Sequence, residues 1–226
     1  MKPDIIVVEN LGTGGQNTAE ARSAFISMLG SHPEHLVIFY GMNDAMNANK
    51  LVPLAAFVEN LTEMVNLAAD DGVRNVFLVG IHPVNTEYLA ERHPTHPEIR
   101  RLQDHLAEYD AAIKKVAAVT GATFIDWRAR FIAESPGVTV KEATGNRVDC
   151  LVRCEANSGN RDGNHLTASG YQFLADEVSR ALRDVVRPGD RVTCMGDSIT
   201  FGAHMDGAGT ATGDTYPAVL YRALNK

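Results

Sequence analysis

Short apolar runs alternate with helical periods along the whole chain, and this alternation most constrains the fold. The runs lie at residues 4–8, 35–40, 75–79, 123–125 and 192–195, and they are rich in β-branched side chains. Between them, apolar residues recur at spacings of three and four, which is the period of an amphipathic helix. Nearly continuous apolar strands separated by helices are typical of a parallel sheet covered on both faces. The sequence therefore predicts a doubly wound α/β fold of flavodoxin-like type with about five parallel strands.

The composition limits the number of domains and the kinds of partner. A chain of 226 residues without internal repeats or linkers suits one domain, which we expect to span residues 1–226. The net charge of −7 argues against nucleic acid or an anionic membrane surface as the main partner. No apolar run reaches the roughly 18 to 20 residues of a membrane-spanning helix. The oligomeric state is not readable from the sequence.

The first residues lead directly into a strand-like run. Residues 1–4 read Met-Lys-Pro-Asp and do not form the charged and apolar regions of a signal peptide. We therefore expect a cytoplasmic protein, and a secreted form stays open if a leader has been removed.

The cysteines and one histidine pair do not predict a metal site. Cys150, Cys154 and Cys194 are too few for a disulfide framework. Cys150 and Cys154 could pair in an oxidising compartment, although we expect isolated thiols. No companion ligands at a usable spacing accompany them, so zinc is not indicated. His93 and His96 leave a metal pair open, but a solvated loop is the simpler interpretation.

Four short motifs follow predicted strands or lie in loops near their carboxyl ends. They are Gly-Asp-Ser at 196–198, Gly-Thr-Gly-Gly at 12–15, Asn-Asp at 43–44 and Asp-Gly-Asn-His at 162–165. Each motif alone is common in turns, and the glycines could also cradle a phosphate, although no P-loop Lys-Ser/Thr follows them. Because the carboxyl ends of parallel strands meet at one edge of a sheet, we expect the four motifs to lie close together.

Together these motifs supply every group that ester hydrolysis by a serine requires. Ser198 is the predicted nucleophile and His165 the base that takes its proton. Asp162, three residues earlier, can orient the other ring nitrogen of His165. The candidates for stabilising the oxyanion are the backbone N–H groups of Ser198 and Gly15 and the side-chain amide of Asn43.

Neighbours of these residues are candidates for contacting a substrate. They are Asp197, Gly14, Asp44 and Asn164. Asp197 is also expected to hold the turn before the nucleophile. His82 and His204 either line the cleft or are simply exposed. Tyr88 and Trp127 could stack on a sugar, although core packing is the simpler expectation for Trp127.

The four motifs resemble those of the SGNH (GDSL) hydrolase superfamily of esterases and lipases. The resemblance assigns the family's serine, glycine, asparagine, histidine and triad carboxylate to Ser198, Gly15, Asn43, His165 and Asp162, in that order. It implies a three-layer α/β/α fold, hydrolysis through an acyl-enzyme, and neither a metal nor an organic cofactor. The glycine block reads Thr-Gly-Gly-Gln rather than the commoner Ile-Ser-Gly-Asp, which leaves Gly14 as a rival to Gly15 for the oxyanion role.

The order of the motifs departs from that superfamily, in which the serine block comes first. Here it comes last, so we interpret the chain as a circular permutation in which residues 191–226 supply the first strand and helix. The short connector at 187–190 suits a helix that has returned to the opposite edge of the sheet. A final helix at about 216–224 would bring Lys226 near the first strand. A chain cut from tandem repeats would have the same sequence if two copies completed each other's fold by exchanging their last strands. This alternative stays open.

The substrate is the least constrained property. The superfamily that the motifs resemble includes acetylesterases that act on polysaccharides, lysophospholipases, thioesterases and arylesterases. The two loops expected to shape the pocket, 133–161 and 201–215, are mostly polar. We therefore expect a short acyl group, with acetate on a carbohydrate as the favoured case. A lysophospholipase or thioesterase, or a non-catalytic carbohydrate-binding module, stays open.

Overall fold

Five parallel strands form the centre of the molecule. The computed structural model describes residues 5–133 and 139–226. The strands are β1 (Val7–Gly12), β2 (His35–Phe39), β3 (Asn75–Val79), β4 (Thr123–Ile125) and β5 (Arg191–Gly196). They lie in the order β1-β5-β2-β3-β4, and every neighbouring pair is parallel. The predicted α/β fold with five parallel strands is confirmed.

Helices cover both faces of this sheet. They are α1 (Thr18–Met28), α2 (Met42–Met46), α3 (Leu54–Asp70), α4 (Thr86–Arg92), α5 (Leu102–Thr120), α6 (Trp127–Ala133), α7 (Val140–Thr144), α8 (Glu155–Ser158), α9 (Ala168–Leu182), α10 (Ser198–Phe201) and α11 (Tyr216–Leu224). Short 3-10 turns at Leu29–Ser31 and Ile99–Arg101 precede β2 and α5. Helices α1, α3 and α5 pack side by side, and α9 packs against α11. Among the described residues, none of the helices has the length and hydrophobicity that crossing a bilayer requires.

The first strand is longer and later than the apolar run at residues 4–8 predicts. It extends through the polar residues Glu9 and Asn10 and ends at Gly12. Polar residues fit here because β1 is an edge strand, and Glu9 accepts a hydrogen bond from Thr193 of β5 at 2.9 Å. The glycine block therefore begins inside the strand. Residue 4 lies outside the described residues.

The stretch at 133–161, expected to be irregular, contains two short helices. Thr139 begins α7 with a reciprocal cap, since its hydroxyl accepts the N–H of Glu142 and the Glu142 carboxylate accepts the N–H of Thr139. Helix α8 ends at Gly159, which has a φ of 69°. Both helices are too short to show an apolar period in the sequence. Residues 134–138 of this stretch lie outside the described residues.

Trp127 lies in the core, as expected. It is completely buried, and its ring packs against Phe131 and Phe173 with centroid distances of 5.5 and 4.9 Å. The aromatic side chains thus fill the space under α9, and the Trp127 ring is not available to a sugar.

The last strand in the chain occupies the middle of the sheet. When β5 is counted first, the strand order becomes 2-1-3-4-5, which is the order of flavodoxin-like folds. The two ends of the described chain also meet. Asn225 lies just after α11, and its side chain accepts the N–H of Ile6 at 2.8 Å and donates to the Ile6 carbonyl oxygen at 2.9 Å.

This proximity predicts that the chain can be reconnected without loss of the fold. We expect a rearranged chain that starts at Asp184, joins Lys226 to Met1 and ends at Arg183 to unfold cooperatively in urea. The new ends fall between two exposed residues after α9, where no sheet pairing is cut. Urea unfolding followed by circular dichroism measures this, with the original chain as control. A rearranged chain without a cooperative transition would contradict the prediction.

Candidate active site

Ser198 follows the central strand directly. Strand β5 ends at Gly196, and Ser198 is the first residue of α10. A Cβ at Gly196 would lie 2.6 Å from the carbonyl oxygen of Phe39, so only glycine allows the neighbouring strand to approach here. Asp197 caps α10, because its Oδ1 accepts the N–H of Ile199 at 2.9 Å. This turn places the Ser198 hydroxyl, half-buried, at the carboxyl edge of the sheet.

His165 contacts both Ser198 and Asp162. Its Nε2 lies 2.9 Å from Ser198 Oγ, and its Nδ1 lies 2.9 Å from Asp162 Oδ2. With a hydrogen on Nδ1, the ring donates to the carboxylate, and Nε2 is free to accept the Ser198 proton. The three side chains predicted from the sequence therefore form one continuous line of hydrogen bonds.

Asp162 is held as a carboxylate. Its burial opposes ionisation, but the ring and N–H of His165 and the N–H of Asn164 donate hydrogen bonds to it. Together these bonds outweigh burial and hold the pKa of Asp162 well below its usual range. Arg92 donates to the Asp162 main-chain oxygen, and its Nη2 lies 3.6 Å from Oδ1. The sequence gives no signal for Arg92, because it lies 70 residues earlier in the chain.

Backbone hydrogen bonds fix the loop that carries Asp162 and His165. The N–H of Arg153 donates to the His165 carbonyl oxygen at 2.7 Å, and the N–H of Gly163 donates to the Arg153 carbonyl oxygen at 2.9 Å. On the other side, the N–H of Asn85 donates to the Gly163 carbonyl oxygen at 2.8 Å. The candidate base is thus anchored to the segment before α8 and to the start of α4.

Backbone donors for an oxyanion lie in two turns. The N–H of Ser198 is in the first turn of α10, where N–H groups have no acceptor within the helix. Gly15 has a φ of 72°, in the left-handed region that favours glycine. Within the described residues, neither Gly14 nor Gly15 donates its N–H to another backbone group. Both glycines therefore retain a free donor.

The third candidate donor, the amide of Asn43, is already engaged. Its Nδ2 lies 3.2 Å from both the Gln16 carbonyl oxygen and Oδ2 of Asp197. Its Oδ1 accepts a hydrogen bond from Asn47 Nδ2 at 3.1 Å, which orients the amide group. Asn43 can bind an oxyanion only by giving up one of its two long donor bonds.

Three side chains expected to contact a substrate are buried instead. Asp44, Asp197 and Asn164 expose 0%, 1% and 3% of their surface. Asp44 accepts hydrogen bonds from the N–H and hydroxyl of Thr18 at the start of α1. The carbonyl oxygen of Asn164 accepts a hydrogen bond from His82. We correct the expectation accordingly: these polar residues hold the loops of the site, and of the four candidates only Gly14 is exposed.

Other predicted side chains also lie away from the cleft. His82 is completely buried and stacks on Phe131 at 5.6 Å, and burial lowers the pKa of its imidazole to about 4. His96 is buried as well, with Nε2 2.9 Å from the Ala45 carbonyl oxygen, so the expectation of a solvated loop is wrong for it. Tyr88 is buried, and the Arg161 guanidinium lies 4.1 Å above its ring, where a sugar would have to stack.

The three cysteines are buried free thiols, as expected. The Sγ atoms of Cys150 and Cys154 lie 3.3 Å apart, in the segment that leads to the loop of His165.

His204 lies beside Asp162 and His165. Its Nε2 is 3.5 Å from Asp162 Oδ2, and its ring meets the His165 ring edge-on with centroids 5.0 Å apart. The side chain is half-exposed, and the backbone φ of 70° lies in the left-handed region. His204 lies in the long loop after α10, and its side chain borders the candidate triad on the side open to solvent.

The parallel sheet carries a serine, a histidine and an aspartate together at its carboxyl edge, a side-chain arrangement that suits ester hydrolysis. Residues 2–173 match the profile of the GDSL-like lipase/acylhydrolase family, and the chain belongs to that family. The match ends within α9, before the strand that leads to Ser198. Family membership makes this chain an ester-hydrolysing enzyme.

Solved structures with the same fold are distant in sequence. A lipase/acylhydrolase from Enterococcus faecalis is 23% identical, with a TM-score of 0.57 over 77% of this chain and 74% of that chain. A GDSL-like lipase from Bacteroides thetaiotaomicron is 18% identical, with a TM-score of 0.57 over 76% and 73%. An acetylxylan esterase from Geobacillus stearothermophilus is 16% identical, with a TM-score of 0.54 over 78% and 71%. No curated protein gives a significant match.

The burial of Asp197 predicts a pH dependence of stability. Burial, together with the charge of Asp44, raises the pKa of Asp197 to about 7, even though the hydrogen bond from Ile199 and the charge of His165 lower it. Between a normal carboxyl pKa of about 4 and about 7, the folded state keeps a proton that the unfolded state has released. The free energy of unfolding should therefore fall as pH rises through this range.

Asp197→Asn should remove this slope, because the amide does not titrate and can still cap α10. Urea unfolding at intervals from pH 4 to 8 measures it for both proteins. Asp44, whose pKa burial raises to about 6, contributes a similar slope below pH 6 in both chains. Parallel stability curves for the two proteins would show that Asp197 does not titrate in this range.

Proposed function

We propose that this enzyme hydrolyses short-chain carboxylic esters through a Ser198–His165–Asp162 triad, with acetyl groups on carbohydrates as the favoured substrates. One observation carries the mechanism: His165 lies 2.9 Å from Ser198 Oγ through one ring nitrogen and 2.9 Å from Asp162 through the other. This is the arrangement that a serine needs for nucleophilic attack near neutral pH.

The proposed reaction has two halves. In the first, Ser198 Oγ attacks the acyl carbon while its proton passes to His165 Nε2, and Asp162 stabilises the imidazolium that forms. Collapse of the tetrahedral intermediate breaks the bond to the alcohol, which leaves with the proton from His165. In the second half, His165 takes a proton from water, and the resulting hydroxide attacks the acyl-enzyme. The acid is released, and the proton returns to Ser198.

Three hydrogen-bond donors are proposed to stabilise the negative oxygen of each tetrahedral intermediate. The N–H of Ser198 and the N–H of Gly15, with Gly14 as its rival, supply two fixed backbone donors. Asn43 supplies the third when the oxyanion displaces Gln16 or Asp197 from its Nδ2, each 3.2 Å away. An oxyanion is a stronger acceptor than either of these long contacts, so the exchange favours the transition state.

The polar character of the loops near the site supports the preference for short acyl groups. The two loops expected to shape the pocket, 133–161 and 201–215, are mostly polar in sequence. An acyl chain of eight carbons would therefore find little apolar surface there, whereas an acetyl group needs little. One similar structure is named an acetylxylan esterase, which is consistent with this preference.

We further propose that the chain is a circular permutation of the family's usual order. The family profile ends at residue 173, before the serine block, and β5 nevertheless lies between β1 and β2. The hydrogen bonds between Ile6 and Asn225 bring the chain ends together, as an uninterrupted ancestral chain would require. The rearranged chain described above is the test: it should retain ester hydrolysis as well as the fold, and an inactive but folded chain would argue against the proposal.

The triad predicts the effect of two substitutions. Ser198→Ala and His165→Ala should each lower kcat by about 10⁴-fold or more, because the nucleophile or its base is lost. Hydrolysis of p-nitrophenyl acetate, butyrate and octanoate measures this, and activity should fall as the acyl chain lengthens. Ser23→Ala and His93→Ala, at positions outside the site, are the matched controls. Undiminished turnover in Ser198→Ala would contradict the mechanism, and a preference for octanoate would favour a lipase-like specificity.

The oxyanion assignment predicts a smaller effect at Asn43. Asn43→Ala should lower kcat by about 10²–10³-fold with little change in KM, because the donor acts mainly in the transition state. Asn49→Ala, at an exposed asparagine shortly after α2, is the matched control. Steady-state kinetics on the acetyl ester measure both variants. If Asn43→Ala were as fast as the wild type, or no slower than Asn49→Ala, Asn43 would not be an oxyanion donor.

A further inference from the structure

We propose that Asp162, His165 and His204 form a binding site for a divalent transition-metal ion such as zinc, and that the bound ion inhibits the enzyme. The inhibitory part rests on the proposed function, because the site shares two residues with the candidate triad. The binding part rests on geometry alone. His204 supplies the third ligand of this site. It has no part in the proposed reaction, so a change at His204 can test the metal site separately from the triad.

The distances between the three side chains fit a small metal ion. One ligand atom from each residue lies within 4.8 Å of the other two. Asp162 Oδ2 is 2.9 Å from His165 Nδ1 and 3.5 Å from His204 Nε2. In a tetrahedral zinc site with bonds of about 2.0–2.1 Å, neighbouring ligand atoms are about 3.3 Å apart. Because no two of the three atoms are more than 4.8 Å apart, side-chain shifts of about 1.5 Å or less would bring all three to zinc.

The donor set also suits zinc chemically. Two imidazoles and one carboxylate, with a fourth position open to solvent, are ligands that zinc accepts. The side of the site toward solvent is open because His204 is half-exposed. Arg92 faces Oδ1 of Asp162 and leaves Oδ2 for the ion, while its positive charge opposes a second cation. We therefore expect weaker binding than in a closed structural zinc site.

Zinc at this position would disable the proposed base. A neutral imidazole carries one hydrogen, and zinc on Nδ1 of His165 forces that hydrogen onto Nε2. Nε2 then donates to Ser198 Oγ, 2.9 Å away, and can no longer accept its proton. The hydrogen leaves Nδ1 to solvent and Nε2 takes one up, and both this exchange and the coordination of zinc are reversible, so a chelator should restore activity fully.

The binding test compares two histidine variants with matched backbones. His204 and His32 are the two described non-glycine residues with positive φ, 70° and 48°, a conformation that asparagine also tolerates. His32 also lies near a carboxylate, with Nδ1 3.2 Å from Asp71 Oδ2, but among the described residues no third metal ligand joins that pair.

Calorimetric titration with ZnCl₂ should give one site in the wild type and in His32→Asn. In His204→Asn the affinity should fall at least about 10-fold, because one of the three ligands is lost. Equal affinity in His204→Asn and the wild type would overturn the site.

The inhibition test uses p-nitrophenyl acetate hydrolysis with increasing ZnCl₂, and each protein is compared with its own zinc-free rate. We expect inhibition of the wild type and of His32→Asn that EDTA reverses. His204→Asn should need at least about 10-fold more zinc for half-inhibition. Zinc binding that leaves wild-type turnover unchanged would overturn the inhibitory role.

A third protein separates this proposal from the proposed function. Ser198→Ala should bind zinc as the wild type does, because Ser198 supplies no ligand. If Ser198→Ala remained active while zinc affinity still depended on His204, the triad mechanism would fail and the metal site would stand. Loss of activity in Ser198→Ala together with zinc affinity independent of His204 would support the triad and overturn the metal site.

Discussion

The position of β5 between β1 and β2 is the constraint on which the site depends. Gly196 at the end of β5 pairs with Gly12 on one side and Phe39 on the other. A Cβ at Gly12 would lie 2.1 Å from the backbone nitrogen of Phe201, so α10 rests directly on the end of β1. Backbone atoms of three strands and one helix therefore meet around the turn. Ser198 takes its position from this close backbone packing at the centre of the sheet, whereas loops bring His165 and Asp162 to it.

Asp162 reconciles two conflicting requirements. It must be buried to hold the ring of His165 in one orientation, yet burial alone would favour its neutral form. Hydrogen bonds from the ring and N–H of His165 and from the N–H of Asn164, together with the charge of His165, keep it ionised. Asp197 shows the contrasting case, because it is more deeply buried and its hydrogen bonds do not outweigh that burial, which leaves its pKa at about 7. The two carboxylates of the site thus differ in pKa through both their burial and their hydrogen-bond donors.

The sequence predicted the elements whose signals are local and missed those that depend on tertiary contact. Apolar runs located β2, β3 and β4 closely, but β1 was misplaced because an edge strand tolerates polar residues such as Glu9. The motifs were sufficient to identify Ser198, His165 and Asp162 as neighbours, because each of these residues follows a strand or turn with a local sequence signal. Their polar neighbours were misassigned to the substrate because the sequence does not distinguish a side chain that binds a ligand from one that holds a loop. The contacts of Arg92 and His204 with Asp162 have no sequence signal at all.

The order of the strands has a consequence for the protein during its synthesis. Among the strands of the described residues, β5 is made last, yet it is the only pairing partner of β1 there and one of two for β2. A nascent chain that has passed β4 therefore presents unpaired edges on both sides of the gap. Such edges are sites where other chains can pair. Until the ribosome delivers the central strand, this polypeptide is an incomplete sheet exposed to aggregation, and a chaperone that shields those edges would protect it at its most vulnerable stage.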